Sequence, residues 1–461
     1  MAYTIPSDTH VDGDALHTTD HNNIVDVLKG MGAVCNVLNT TYSGGADSSG
    51  AADSTAAIQA ALTDAASGKG IVYIPPGTYK LSGVLQPVSN VAIIGAGAGV
   101  TVLSQTSTTA NTIDTTSYGS VLDTVRIENL RINGPNSGSG IGIRIGTNNS
   151  ANPAVSVTIR NVIVYQMGSH GVECREVITS VLDNVRSVNN GGKGFYIHSN
   201  TSGGVSTSVT CISCYANTNP NDRGWHIDDV TYVALLGCAA DSNAIGYEIS
   251  NAGTFGVALT GCGAESTRAG TSGLDGSQFK INAANSVTLT SCYALDTATG
   301  AKAFYVTGNS TTCTLISPTE LDPQTPGSGY SIAVDSGSYL AVINQNITLS
   351  DSIAGTVQNL NDFGYMGVAG EVDITAPGKG LAVAEGSNAK QGTATLNGTT
   401  AVVVSNTSVT ASSRIFLTIN TPGGTPGSPY VSARTAGTSF SIKSTGASDT
   451  STVAYEIFEP G

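Results

Sequence analysis

Short runs of alternating apolar and polar residues recur along the middle of the chain. Six of them align on their last residue, at Val162, Val185, Cys214, Cys238, Cys262 and Cys292. Leu130 precedes this series and Pro318 follows it, with steps of 23 to 32 residues between neighbours. Helical solenoids would show apolar faces of helical period, and none appears. Short alternating strands at this spacing predict a right-handed parallel β-helix. Each turn carries a second strand, for example Gly194-Phe195-Tyr196-Ile197, Gly224-Trp225-His226-Ile227 and Gly246-Tyr247-Glu248-Ile249. Strand side chains alternate between faces, so the aromatic and the aliphatic residue point one way and the middle residue the other. Stacked turns then give an inward column of Phe195, Trp225, Tyr247, Phe279, Phe304 and Tyr330, beside a column of Ile and Val. Cys214, Cys238, Cys262 and Cys292 hold one phase, with Ala216, Ala240, Ala264 and Ala294 two residues later. Small residues in register at a tight interior corner explain these cysteines as buried free thiols, without metal or disulfide chemistry.

The pattern changes on either side of the repeat. Residues 1–40 contain a short helical segment, His21 to Lys29, capped by Asp20. His10, His17 and His21 lie in the same stretch, read as solvated and not as a metal site. Asp53-Ser54 opens an amphipathic helix from Thr55 to Ala66, apolar at Ala57, Ile58, Ala61 and Leu62 and stopped by Gly68. Such a helix covers the open end of a β-helix. Val72 to Tyr79 reads as strand, turn, strand, and Gly95-Ala96-Gly97-Ala98-Gly99 has the wrong spacing and sequel for a dinucleotide loop. Beyond residue 340 the repeat is expected to stop, leaving 341–387 as a Gly-rich neck. From 388 to 461 five runs (Thr400–Ser405, Arg414–Asn420, Tyr430–Thr435, Thr438–Lys443 and Thr452–Phe458) predict a small antiparallel β-sandwich. The chain is thus read as all-β, with a β-helix shaft over 41–340. A sandwich of this size is marginal alone, so oligomerisation is expected.

Composition narrows the function classes. The chain has 461 residues, 19 basic and 33 acidic, for a net charge of −14. Only 11% of residues are charged, and 56 are Gly. No Lys/Arg cluster exists to neutralise phosphates, which excludes a nucleic-acid binder. The most apolar window, Val91 to Leu103, is far short of a membrane span, so no membrane insertion is expected. Met1-Ala2-Tyr3-Thr4-Ile5-Pro6 has neither a basic nor an apolar region, so no secretory signal is expected either.

Gly45-Ala46-Asp47, Asp53 to Ala61 and Val72 to Tyr79 resemble the pectate-lyase-like β-helix superfamily, although the family's Gly-Asp-Gly before the helix is replaced by Asp47-Ser48-Ser49-Gly50. The stretches Gly386 to Gly392, Ala436 to Phe440, Ser448 to Thr452 and Tyr455 to Pro460 resemble the terminal sandwich of bacteriophage tail spikes and fibres. The resemblance implies a homotrimeric virion protein assembled in the host cytoplasm. Its residues 1–40 would meet the tail or baseplate, its β-helix would form the shaft, and its C-terminal domain would trimerise and touch the host. It implies recognition of host cell-surface polysaccharide, with cleavage of that polysaccharide as the alternative, and no cofactor. A secreted pectinase is disfavoured by the missing signal and the terminal domain.

Glycoside hydrolysis needs two carboxylates about 5–5.5 Å or 6.5–9.5 Å apart, and residues one turn apart in phase lie about 4.8 Å apart. Two pairs are therefore candidates. Asp241 and Glu265 stack outward three residues past the cysteine column, between Asn217 and Leu295. On the other face the outward positions are Glu173, Tyr196, His226, Glu248, Lys280 and Tyr305, with Asp228 and Asp229 beside them. Asp228 and Glu248 form the second pair. His226 and Lys280 are placed to orient an acidic sugar, and Tyr215, Tyr293 and Tyr305 offer stacking platforms. Arg223 and Lys280 are available to a lyase, but no tight acidic cluster suggests calcium. Polar ladders on solvent faces, or packed between subunits, account for the same residues without catalysis.

Overall fold

The computed structural model describes residues 34–200, 205–265, 267, 274–295, 302–309, 311–321, 332–343, 354–359 and 383–460. The expected helix His21–Lys29 and its neighbouring histidines lie outside these residues, as does Tyr330. The chain divides into two compact units, residues 1–364 and 365–461.

The first unit is a parallel β-solenoid. One of its sheets has nine strands in strict succession: Ile113–Asp114, Ile143–Gly146, Val172–Arg175, Phe195–His198, Arg223–Asp228, Ile245–Ser250, Phe279–Asn282, Phe304–Thr307 and Ile332–Val334. All neighbours pair in parallel, one turn apart. The other strands of each turn form the remaining walls, where Leu130, Val162 and Val185 share one column. The predicted register holds along both walls: Ala216, Ala240, Ala264 and Ala294 stack, and all eight cysteines are buried and none is in a disulfide.

The aromatic column is real and fully buried. Phe195 stacks on Trp225 with ring centroids 4.0 Å apart, and Tyr247 on Phe279 at 4.9 Å. The polar edges of two rings find carbonyls inside the core: Trp225 Nε1 donates to Ala239 O at 3.1 Å and Tyr247 Oη to Gly263 O at 3.2 Å. The last expected member differs. Ile332, not Tyr330, stacks on Phe304, and Val334 on Val306. A strand pattern of period two reads equally well after a slip of two residues, so Tyr330-Ser331-Ile332 and Ile332-Ala333-Val334 are indistinguishable as sequence.

A second interior feature escaped the sequence. Asn190, Asn219 and Asn243 are buried in a ladder in which Asn190 Nδ2 donates to Asn219 Oδ1 and Asn219 Nδ2 to Asn243 Oδ1. Their carboxamides satisfy backbone groups where the chain turns between walls. At another corner the residues Asn129, Asn161, Asn184, Ser213, Gly237, Gly261, Ser291 and Ser317 all have φ near +50 to +60°. Asn and Gly are suited to that conformation, and Gly237 and Gly261 occupy it without cost.

The capping helix spans Thr55–Asp64 and buries Ala57, Ile58, Ala61 and Leu62, as its periodicity predicts. It ends in a wide turn over Ala65–Lys69, with Gly68 at φ 119° inside it and Gly70 at φ 78° closing it. The solenoid also runs past residue 340: Tyr339–Ile343 pairs in parallel with Thr356–Asn359. The second unit has two three-stranded antiparallel sheets. The first contains Gln391–Thr395, Thr452–Phe458 and Arg414–Thr421, and the second Val402–Ser405, Ser439–Ser444 and Pro429–Thr435. Gln391–Thr395 is a strand the pattern did not reveal. Ala394 is its one residue packed on the core of Leu396, Val409, Phe440, Ile442, Val453, Tyr455 and Ile457.

Candidate functional site

The outer surface of the nine-stranded sheet carries two adjacent columns of long polar side chains. The first runs Asp114, Arg144, Glu173, Tyr196, His226, Glu248, Lys280, Tyr305. The second, two residues further along each strand, runs Arg175, His198, Asp228, Ser250, Asn282, Thr307. Alternation directs both outward. Arg144, Arg175, Lys193, Arg223 and Lys280 all make ion pairs here, five of the chain's 19 basic residues. In a chain so poor in charge, that concentration marks one face.

Tyr196 lies at its centre. Its ring stacks on His198 at 3.8 Å and on His226 at 5.0 Å, and Lys193 Nζ sits 4.4 Å from its centroid. Burial, reinforced by the negative charges of Asp228 and Glu173, pushes the phenol up to about 12. It therefore stays protonated at neutral pH, its Oη donating to Asp228 Oδ2 at 3.5 Å.

Around it the charges are interlocked. Glu173, only 4% exposed, meets His198 Nε2 at 3.0 Å, Arg144 Nε at 3.4 Å and Arg175 Nε at 3.8 Å. Burial alone would raise this carboxyl, but the His198 hydrogen bond and the two arginines hold it below the ordinary range. His198 Nδ1 faces Ser199 O at 3.0 Å, so both ring nitrogens look at oxygen atoms. Arg223 bonds Glu248 through Nε and Asp222 through Nη1 at 2.9 Å. Burial works against the guanidinium's charge, yet Glu248 and Asp222 raise its pKa above the ordinary value.

His226 is different. Its Nε2 lies 2.9 Å from Ser250 Oγ, whose hydroxyl donates to Asp228 Oδ1 at 2.9 Å. Since Ser250 spends its proton on Asp228, His226 donates from Nε2, which leaves Nδ1 as a lone pair. That atom is buried and has no hydrogen-bond partner among the described residues. Burial, with the positive charges of Arg223 and Lys193, pushes the imidazole down to about 2, so it is neutral. His170, whose Nδ1 accepts from the Lys193 N–H, is pushed down to about 4, again mainly by burial.

The structure thus brings Asp228, His226, Glu248, Lys280 and Tyr305 onto one face. Lys280 spans Asp275 at 2.7 Å and Glu248 at 4.0 Å, and lies 5.6 Å from the Tyr305 ring, whose Oη donates to Asp335. Asp228 and Glu248 each have their own partners, Tyr196 and Ser250 for the first and Arg223 and Lys280 for the second. Asp241 and Glu265 do stack in register, on a different wall. Their oxygens accept from tyrosines: Tyr215 Oη to Asp241 at 2.9 Å and Tyr293 Oη to Glu265 at 2.7 Å. These two tyrosines are therefore bound along the wall by their hydroxyls. Arg144, Arg175, Lys193, His198, Asp222 and Ser250 went unrecognised in the sequence. Extending the outward column one rung towards the N-terminus, and reading the column two residues on, would have found Arg144, Arg175, His198 and Ser250.

Comparison with known proteins follows the two units. Residues 36–125 match the family described as rhamnogalacturonase A/epimerase, pectate lyase-like. Residues 388–458 match the C-terminal domain of K1 capsule-specific polysaccharide lyase. The mannuronan C5-epimerase AlgE3 of Azotobacter vinelandii is 51% identical over 67 residues, which amount to 13% of this chain and 4% of that protein. The chain therefore spans a small fraction of the curated relatives it matches. Among solved structures, the A-module of the Azotobacter vinelandii mannuronan C-5 epimerase AlgE4 aligns with a TM-score of 0.53 at 21% identity, covering 70% of this chain and 97% of that one. The gp42 tailspike of Acinetobacter phage vb_AbaP_AS12 aligns with a TM-score of 0.54 at 12% identity, covering 90% and 81%. The chain has a pectate-lyase-like β-helix fold followed by a domain of the K1-lyase C-terminal type, and a phage tailspike stands among its structural neighbours.

Proposed function

We propose that the chain is a spike-type protein that binds an acidic surface polysaccharide along its nine-stranded face, in the adsorption of a phage to its host. The observation that carries this reading is the gathering of five cations and the stacked Tyr196 on one outward face. Each cation already meets a carboxylate of this chain, so a sugar carboxylate would share or replace that partner, and aromatic rings meet sugar faces. A ladder with a rung about every 4.8 Å suits a linear polymer lying along or across the rungs. The similarity to a tailspike and to polysaccharide-acting β-helix proteins supports it. Attachment of residues 1–40 to a tail belongs to the same proposal.

Cleavage is the second reading, favoured by the Asp228–Ser250–His226 chain next to a protonated Tyr196. Glu248 is committed to Arg223 and Lys280, so a pair of free carboxylates for hydrolysis is not what the geometry offers. Proton transfer suits it better. Elimination removes the proton on the carbon beside a sugar carboxylate, breaks the glycosidic C–O bond, protonates the departing oxygen and leaves a C=C bond. The Tyr196–Asp228 pair is the proton-handling group, and Arg175 and Lys280 balance the carboxylate.

The test is to incubate the purified chain with acidic capsule-type polysaccharides and follow retention, new reducing ends and the ultraviolet absorbance of a conjugated C=C bond. Arg175→Ala and Lys280→Ala are each expected to weaken retention about tenfold or more, the scale of one lost charge-assisted bond. Tyr196→Phe is expected to remove any new ends while retention persists. Unchanged retention in both charge variants would remove the face from consideration.

A further inference from the structure

One wall of the solenoid is conspicuous for lacking charge. Seven successive rungs, Thr207–Ile212, Thr231–Leu236, Phe255–Thr260, Asn285–Thr290, Thr312–Ile316, Tyr339–Ile343 and Thr356–Asn359, contain no Asp, Glu, Lys or Arg. The three rungs before them carry Arg126, Glu128, Arg160 and Asp183 in the continuing columns. The change is abrupt and lasts to the end of the described solenoid.

The outward columns of this wall are uncharged and built of Thr, Ala, Ile and Leu. The central one reads Thr210, Ala234, Ala258, Thr288, Thr314. The next reads Ile212, Leu236, Thr260, Thr290, Ile316. Leu236 is 40% exposed, Phe255 43% and Tyr232 63%, the last two in edge-to-face contact at 5.9 Å. Nothing in a single solenoid requires bulky apolar groups in water. Small residues in register let another backbone approach closely, while the exposed aromatics border the patch.

We propose that this wall is where copies of the same chain pack side by side, in parallel, as a homo-oligomer. Charge selects the occupant. Each copy carries a net −14, so most approaches bring like charges together. Two uncharged walls meet without that repulsion, and neither copy has to desolvate an ion. Area agrees. Seven rungs spaced about 4.8 Å apart, each some 18 Å long, present on the order of 600 Å² per copy. A stable interface buries about 800 Å² per partner, so this wall supplies most of one. The proposal does not rest on what the nine-stranded sheet binds.

The experiment is sedimentation of the full chain together with hydroxyl-radical footprinting of Tyr232 and Phe255. Wild type is expected to assemble, with both rings protected. Ala234→Glu/Ala258→Glu is expected to weaken self-association at least about a hundredfold, since like charges meeting in an interface cost several kcal/mol, and to expose both rings. Thr260→Lys, at a position already exposed, gives the same result without burdening the fold. Circular dichroism checks that each variant retains its strands. Val121→Glu, 45% exposed outside the wall, leaves assembly intact. A monomeric wild type, or rings equally reactive in wild type and variants, would overturn the proposal. Loss of assembly with polysaccharide retention preserved separates it from the reading of the site.

Discussion

Replacing Trp225 with alanine is expected to cost about 3–5 kcal/mol of solenoid stability, the range for deleting a fully buried large aromatic. Trp225 is completely buried between Phe195 and Tyr247, with ring centroids 4.0 and 6.0 Å away. Its removal forfeits both stacking contacts and opens a cavity that rungs fixed by backbone ladders cannot collapse to fill. It also strips Ala239 O of its indole donor. Solenoid energetics are nearest-neighbour in character, so the damage concentrates in the adjoining turns. Urea unfolding measures the loss, and hydrogen exchange locates it in Phe195–His198, Arg223–Asp228 and Ile245–Ser250. Trp225→Phe keeps the stack and is expected to cost less than half as much. A cost below about 1 kcal/mol for Trp225→Ala would show that the column fills space without stabilising the turns.

Acid is the second strong perturbation. His170 and His226 are held neutral well below the ordinary value of 6.5, reaching about 4 and about 2 in the folded chain, chiefly through burial. Below pH 6.5 the unfolded chain therefore binds protons that the folded chain refuses. Each imidazole then removes stability at up to about 1.4 kcal/mol per pH unit. The loss from His170 levels off near pH 4, while that from His226 continues lower. Glu173 acts in a lower window. Its depressed folded value gives stability that is complete above the ordinary carboxylate range and is lost as the pH falls through the lowered value. Stability is thus expected to fall steeply from pH 6 to pH 4, and His170→Asn/His226→Gln to flatten that slope. A wild-type profile flat over this interval would contradict neutral burial of the two rings.

Much of the shaft was legible because its evidence is periodic. The inward residues Phe195 to Phe304, the cysteines and the alanines recur at fixed offsets, and alternation assigns each a side. The slip from Tyr330 to Ile332 marks the limit of that reasoning, because a two-residue shift preserves every inward position. The Asn190–Asn219–Asn243 ladder was opaque for another reason. Asparagine reads as a turn residue, and its burial becomes visible only when turns of unequal length are superposed.

The candidate site was half legible for the same reasons. His226, Glu248, Lys280 and Tyr305 stood out as one outward column. Their real partners do not follow from spacing alone: Arg223 reaches Glu248 on the next turn, and Ser250 joins His226 to Asp228. Those links depend on the reach of long side chains and on where a hydroxyl proton goes. The Asp241–Glu265 stack is correctly placed in register, but Tyr215 and Tyr293 occupy its carboxylates. Register could be counted from the sequence, whereas hydrogen bonding could not.

The most direct test of the central claim compares one acidic surface polysaccharide before and after its carboxylates are reduced to hydroxymethyl groups. Wild-type chain is expected to bind the native polymer, with affinity falling as salt rises, and to lose most of that affinity for the reduced polymer. Equal binding to both, independent of salt, would contradict the assignment of the Arg144–Arg175–Lys193–Arg223–Lys280 face to an acidic glycan.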